Sequence, residues 1–178
     1  MTIDGIPDLE IGKAAEHLVV ADLILSGYRA YLTEQGLPYD IVIDHDGKLY
    51  RLQVKATRCA KKLPARGAVG VGYLFQVRRA GKGGRRQYSN GEFDILALVA
   101  LDVRVIAYLP FNGSIQQTIH LRPHGHMASA RAERTRTIDQ FPIQSALAVI
   151  SGTRPTMSSA QQLLRATPIH QGELFETA

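Results

Sequence analysis

The spacing of apolar and polar positions predicts one long helix followed by a series of strands. Residues 7–26, PDLEIGKAAEHLVVADLILS, set Leu9, Ala15, Leu18, Val19, Leu23 and Leu25 at helical intervals. Pro7 or Asp8 can start this helix, and Gly27 follows its end, where a left-handed cap belongs. A strand is expected from Tyr28 in YRAYLT. The pattern then changes to alternation in YDIVIDHDGKLYRLQVKA, residues 39–56, whose Asp46-Gly47 is a two-residue hairpin turn signal. Further strands are predicted at 72–79 (GYLFQVRR), in FDILALVAL and RVIAYLP, and, as a weaker edge strand, at 114–121 (SIQQTIHL). Two glycine-containing basic loops, 58–70 and 80–91, separate them. After Arg122 the chain becomes polar, small and basic, then carries two short helical patterns, PIQSALAVI and SSAQQLLRA. The expected organisation is a domain at 1–122 and a linker with a short helical extension at 123–178. A helix followed by a meander of strands, without a regular βαβ array, points to an α/β (α+β) fold built on a mixed sheet.

The hairpin carries the most specific signal. With Asp46 and Gly47 in the turn, His45 pairs with Lys48 and Asp44 with Leu49, which sets Asp40 directly opposite Gln53. Alternation puts Lys55 on the same face as Gln53. The opposite face takes Tyr39, Ile41 and Ile43 against Tyr50, Leu52, Val54 and Ala56, an apolar set suited to a core. A one-residue slip would bury Asp40 and Lys55 and expose the isoleucines, so the pattern enforces the register. One small patch therefore holds a carboxylate, an amide and an ammonium. On the helix, Glu16 falls on the stripe Gly12, Glu16, Val19, Leu23, directed toward the sheet, with Gly12 expected to permit close approach.

Charge is segregated along the chain, which carries a net +5 over 178 residues. Residues 1–46 hold nine acidic and two basic residues, whereas residues 47–91 hold twelve basic residues and no acid. Among these, Arg58, Lys61, Lys62, Arg66, Arg78, Lys82, Arg85 and Arg86 lie in or beside the two loops and suit phosphate backbones, so a nucleic-acid partner is expected. The single cysteine, Cys59, excludes an intrachain disulfide. The acidic N-terminus lacks the features of a secretory signal, and no apolar run reaches membrane-spanning length, so a cytoplasmic protein without membrane contact is expected. His120, His124 and His126 in HLRPHGH fit a loop better than a metal site, and GKGGRR lacks the spacing of a nucleotide-binding loop.

The ordered set of GKAAE on the leading helix, Pro38-Tyr39-Asp40 at a strand start and Gln53-Val54-Lys55 on the next strand resembles the PD-(D/E)XK nuclease superfamily. The QVK variant, followed by GYLFQV and FDILALV…VIAYLP, is most similar to the bacterial branch with group I intron-encoded homing endonucleases. Holliday junction resolvases are related. The resemblance covers about residues 5–121 and departs from the usual motif in having glutamine at position 53. It implies a restriction-endonuclease-like core and a metal-dependent DNA endonuclease. Glu16, Asp40, Gln53 and Lys55 would be catalytic, and Asp40, Gln53 and Glu16 would hold Mg²⁺, with Mn²⁺ as an alternative. Lys55 would orient the attacking water or neutralise transition-state charge. Glutamine supplies a neutral oxygen where an acid would supply charge, so metal affinity is expected to be weaker. Two other readings stay open: a structure-specific junction resolvase, and an inert DNA-binding module of the same fold. Cutting both strands needs two sites, so a homodimer or higher oligomer is expected.

Overall fold

The computed structural model describes residues 3, 5–63, 70–81, 84–124 and 136–152. Helix α1 (Asp8–Leu25) begins after Pro7, with Asp8 and Glu10 in its first turn, where negative charge suits the helix dipole. Gly27 (φ 88°) ends it. The Gly27 N–H bonds to Ile24 O at 3.0 Å and the Tyr28 N–H to Leu23 O at 3.0 Å. This is a Schellman termination, which needs a left-handed residue at that point. The buried stripe is Ile11, Ala15, Val19 and Leu23. Leu9 and Leu25 are exposed, which corrects part of the stripe expected from the sequence.

Strands β1 (Arg29–Leu32), β2 (Ile41–His45), β3 (Lys48–Thr57), β8 (Ile95–Ala100) and β9 (Val105–Pro110) form one mixed sheet in the order β1-β2-β3-β8-β9. Positive φ at Asp46 (53°) and Gly47 (72°) closes the β2–β3 hairpin, the geometry of the turn that matches strand twist. Ile41 pairs with Leu52 and His45 with Lys48, the register that the sequence predicts. Strand β8 runs parallel to β3, Leu52 beside Ile95 through Thr57 beside Ala100. A second sheet, in the order β10-β5-β4, comprises β4 (Lys61–Leu63), β5 (Gly70–Gln76) and β10 (Thr118–Leu121). A small hairpin joins β6 (Arg79–Gly81) to β7 (Gly84–Arg86). The two predicted basic loops thus contain short strands, β4 in the first and β6–β7 in the second. Strand β10 lies at a sheet edge, as its weak pattern implies.

The large sheet is covered on both faces. On one, α1 packs through Ala15, Val19 and Leu23 onto Ile41, Ile43, Leu52, Val54, Ile95, Ala97 and Val99. On the other, Tyr73, Phe75 and Ile119 of the second sheet meet Leu96, Leu98, Ala107 and Leu109. All six residues of β8 are consequently buried, which accounts for its continuous apolar run. Tyr39 packs with the second core rather than with Ile41 and Ile43, because it precedes the first paired residue of β2.

The boundary expected after Arg122 does not separate two packing units within the described residues. Arg122 bridges to Thr137, a 3-10 turn at Ile138–Gln140 follows, and helix α2 (Ile143–Ile150) puts Ile143, Ala146 and Leu147 into the core beneath α1. Apolar area buried in that way is what integrates a segment into a domain. The second helical pattern, SSAQQLLRA, lies outside the described residues. Among the described residues no helix is long and apolar enough to cross a membrane.

Candidate active site

Strand β3 outruns its partner. Strand β2 begins at Ile41, opposite Leu52, and the β3 residues beyond that point have β8 on one side and no β2 residue on the other. Asp40 stands where this pairing stops. Its backbone N–H still donates to Leu52 O at 2.8 Å, and its carbonyl accepts the Thr33 N–H at 2.9 Å. Its carboxylate Oδ2 then accepts the Val54 N–H at 2.7 Å. The side chain thereby satisfies the first edge donor that β2 leaves bare. The Gln53 Nε2 donates to the same Oδ2 and, at 3.2 Å, to Val54 O. With its nitrogen committed, Gln53 has only its amide oxygen left for a ligand.

The open edge of β3 explains how Glu16 joins the site. Gln53 and Lys55 lie on the sheet face opposite α1, since they pair beside Leu96 and Leu98 of β8. Glu16 lies on the flank of the buried helix stripe, beside Ala15, and is half-buried. It meets the others across the gap that β2 leaves. Glu16, Asp40, Gln53 and Lys55 all line one cavity of about 570 Å³. The close approach expected at Gly12 is absent: a Cβ there would meet nothing within 4 Å, and Gly12 forms part of the cavity wall instead.

Burial dominates the electrostatics of this cavity. It raises the Glu16 carboxyl above the usual range, and the Asp40 charge raises it further. Burial also raises Asp40, against the opposing pull of the Val54 N–H, Lys55 and Gln53. It lowers Lys55, which Asp40 and Glu16 hold up in turn. Lys55 and the two acids therefore stabilise each other's charges, the acids oppose one another, and together they leave a net negative centre beside a basic rim. Among the described residues no cluster of three or more His, Cys, Asp or Glu could hold a metal, which agrees with glutamine standing where a third acid would be. The available set is two carboxylates and an amide oxygen. All are hard oxygen donors, the kind that Mg²⁺ and similar cations take.

The basic residues expected to meet nucleic acid have divergent positions. Lys61 is exposed at the cavity rim, and Lys62 beside it is exposed as well. Arg58 also lines the cavity, but its guanidinium ties down the N-terminal segment through Asp8 Oδ1 at 2.7 Å and Ile6 O at 2.5 Å. Arg78 donates to Gln117. Arg86 grips Glu92 at 2.5 and 2.8 Å. Arg85 stands on β7, while Arg66 and Lys82 lie outside the described residues. The sequence reading also missed two fixed points. Arg51 and Asp94 pair through three bonds of 2.8–3.0 Å that lock β3 to the start of β8. Tyr88 lies with its ring 5.4 Å from Lys55 Nζ. An acid at Glu92, directly after a long acid-free basic stretch, was the available clue to the ordering of that loop.

Comparison with known proteins identifies the family and the fold. Residues 8–143 match the family of PD-(D/E)XK endonucleases. Protein 5.3 of Escherichia phage T7 is 32% identical over 118 residues, which span 64% of this chain and 92% of that protein. The solved structure of a bacterial homing endonuclease, I-Ssp6803I, superposes with a TM-score of 0.56 at 18% identity, over 84% of this chain and 96% of that one. That likeness is one of fold.

Proposed function

The chain belongs to the PD-(D/E)XK endonuclease family, and from that premise we propose that it hydrolyses DNA phosphodiester bonds with a divalent cation, Mg²⁺ or in its place Mn²⁺, at the Glu16–Asp40–Gln53–Lys55 cavity. The observation that carries this reading is the convergence of four side chains on one cavity, Glu16 from α1 on one face of the sheet and Asp40, Gln53 and Lys55 from the approach to β2 and the second half of β3. Asp40 has its Oδ1 free of the hydrogen bonds that occupy Oδ2, and Gln53 has its amide oxygen. These two would hold the cation, with Glu16 binding directly or through water. A cation so placed supplies Lewis acidity toward a phosphoryl oxygen and toward water.

The remaining chemistry belongs to the chain. Lys55, half-buried beside two carboxylates, offers positive charge where a pentacovalent phosphorane accumulates negative charge, and a donor able to orient the attacking water. Asp40 and Glu16 repel phosphate on their own, so the net negative centre disfavours DNA until a cation is bound. Exposed Lys61 at the rim, with exposed Lys62 next to it in the chain, would offset that repulsion by attracting the flanking phosphates. Cleavage of both strands would use two copies of the site, hence a homodimer or larger assembly.

Incubation of the full chain with supercoiled plasmid and with four-way junction DNA, in Mg²⁺, Mn²⁺ or EDTA, tests the reading. Metal-dependent nicking or linearisation is expected, abolished in Lys55→Ala with DNA affinity retained. Preferential cutting of the junction would favour a resolvase. DNA binding without cleavage under every metal would leave an inert binding module, for which Gln53 argues mildly and against which Lys55 and Glu16 argue.

A further inference from the structure

Tyr88 is an aromatic neighbour of Lys55. It is 7% exposed and is not among the residues that line the cavity holding Glu16, Asp40 and Gln53. Its ring lies 5.4 Å from Lys55 Nζ, within the range where an ammonium is attracted to an aromatic face. Its hydroxyl makes no hydrogen bond among the described residues, so the ring is the part in use. The ring itself is immobilised. It packs edge-on to Phe93 at 4.9 Å, and Phe93 stacks on Phe111 at 4.2 Å. The segment that carries it is closed by Glu92, which accepts from Arg86 at 2.5 and 2.8 Å, from Arg79 at 3.1 Å and from the Ser89 N–H at 2.5 Å. Arg79 also bonds to Gly36 O at 2.8 Å, which ties the hairpin to the loop leading into Asp40.

A lysine has four rotatable side-chain bonds and a point charge, so proximity to two carboxylates does not by itself give it one position. Resting on the deprotonated pair alone, the ammonium would be drawn fully onto Asp40 or Glu16 and away from any phosphate. A neighbouring aromatic face supplies a second, weaker attraction and a steric wall. We propose that Tyr88 is a positioning residue for Lys55: its ring, held by the Glu92 clasp and Phe93, keeps the ammonium at the cavity wall, free to meet a scissile phosphate. This deepens the nuclease reading and rests on it. It assigns a function to the Arg79–Arg86–Glu92 cluster as well, of which the sequence reads Arg86 as a phosphate contact.

Two measurements on the full chain test it. In plasmid cleavage, Tyr88→Leu, which removes the aromatic face while keeping an apolar side chain, should lower kcat by roughly ten- to a hundredfold with KM little changed, as for a misplaced catalytic group. Tyr88→Phe should restore kcat, because the ring is retained. Tyr88→Met is the second variant should Tyr88→Leu fold poorly, with thermal melts run on each. Independently of activity, ¹³C-ε-lysine labelling should show the Lys55 ε-methylene shifted upfield by the ring in wild type and in Tyr88→Phe, and unshifted in Tyr88→Leu. Absence of the upfield shift in wild type overturns the contact. A kcat within about twofold of wild type in Tyr88→Leu, a rise confined to KM, or equal losses in Leu and Phe variants overturn the positioning role. Wild type that cleaves nothing while the upfield shift is present overturns the nuclease reading, and the catalytic use of the contact with it, but leaves the placement demonstrated.

Discussion

Gln53→Glu probes the donor set most directly. In the native site the Gln53 amide donates to Asp40 Oδ2 and to Val54 O, and the residue is only 7% exposed. Glutamate removes both donors and sets a second carboxylate against the first. Two like charges about 4 Å apart repel by about 4 kcal/mol at an effective dielectric near 20. Leaving Val54 O and Asp40 without their donor costs about 1–3 kcal/mol more. Uptake of a proton by the carboxylate pair relieves much of the repulsion, so the net loss is expected at about 2–4 kcal/mol. For a chain of this size that lowers Tm by roughly 5–12 °C in EDTA. A cation reverses the sign, because it binds the acidic pair more tightly than the native acid–amide pair. At a hundredfold its Kd it returns about 2.7 kcal/mol. The pH sense follows from linkage. The new carboxyl titrates above its unfolded value of about 4.3, so the variant's deficit is absent below that pH and grows as pH rises through the folded pKa. Thermal melts of both proteins in EDTA and across a Mg²⁺ or Mn²⁺ titration read all of this. Metal should stabilise the variant more than the wild type, and cleavage should persist or rise at low Mg²⁺. Equal melting in EDTA together with equal metal shifts would show that position 53 does not face the Asp40 carboxylate, and the donor set would be wrong.

Three further outcomes are expected. Gly12→Ala should raise Tm by roughly 2–4 °C, since alanine is favoured over glycine inside a helix by about 1 kcal/mol and its Cβ meets open space; Gly12→Leu should keep stability but obstruct the cavity and reduce cleavage. The Glu92 carboxyl is pushed down to about 2, chiefly by its bond from Arg86, so its contribution to stability is present above its unfolded pKa and is lost as pH falls from about 4.5 toward 2; acid titration of stability should be shallower in Glu92→Gln. Lys61→Gln combined with Lys62→Gln should flatten the log–log salt slope of duplex binding by up to about 0.9 per lost phosphate contact, measured by fluorescence anisotropy, whereas Arg86→Gln should act mainly on melting temperature because that guanidinium is engaged with Glu92.

The hairpin was legible because three local rules agreed there: the Asp46-Gly47 turn, strict alternation, and the single register that hides Ile41 and Ile43. Agreement across such rules is what specifies a structure. Glu16 lines the same cavity as Asp40, Gln53 and Lys55, but not for the reason its spacing suggested. It was read as pointing to the sheet from the centre of the stripe. The stripe is centred on Ala15, and Glu16 reaches the others only because β2 ends early, a tertiary fact that periodicity does not carry. The C-terminal stretch misled for the opposite reason. Its intervening residues are polar, yet Ile138, Phe141, Ile143 and Leu147 supply core contacts that composition alone cannot assign to a partner. The basic loops were read by charge, and charge does not say which arginines find acids. Arg58 and Arg86 each find one in the fold, at Asp8 and Glu92.

The early end of β2 also explains why these residue types occupy these places. If β2 extended by one more pair, the Val54 N–H would be bonded to backbone and Asp40 would have no edge donor to cap. The strand would also fill the gap through which Glu16 meets Asp40 and Lys55. Ending the pair one residue sooner would expose Leu52, which is fully buried, and uncover the core beneath α1. The site is therefore confined to the point where backbone pairing gives way to side-chain pairing. A carboxylate there is held by a backbone N–H and by one neighbour, and position 53 decides what that neighbour is. An acid in that place would give a cation more charge but, in its absence, leave Asp40 with the Val54 N–H and no side-chain donor. Glutamine does the reverse: it completes the metal-free network through Nε2 and keeps a single neutral oxygen for a cation. A low-charge donor set and a closed hydrogen-bond network around Asp40 thus have the same cause, which is why a single substitution at Gln53 should move cation affinity and metal-free stability together and in opposite directions.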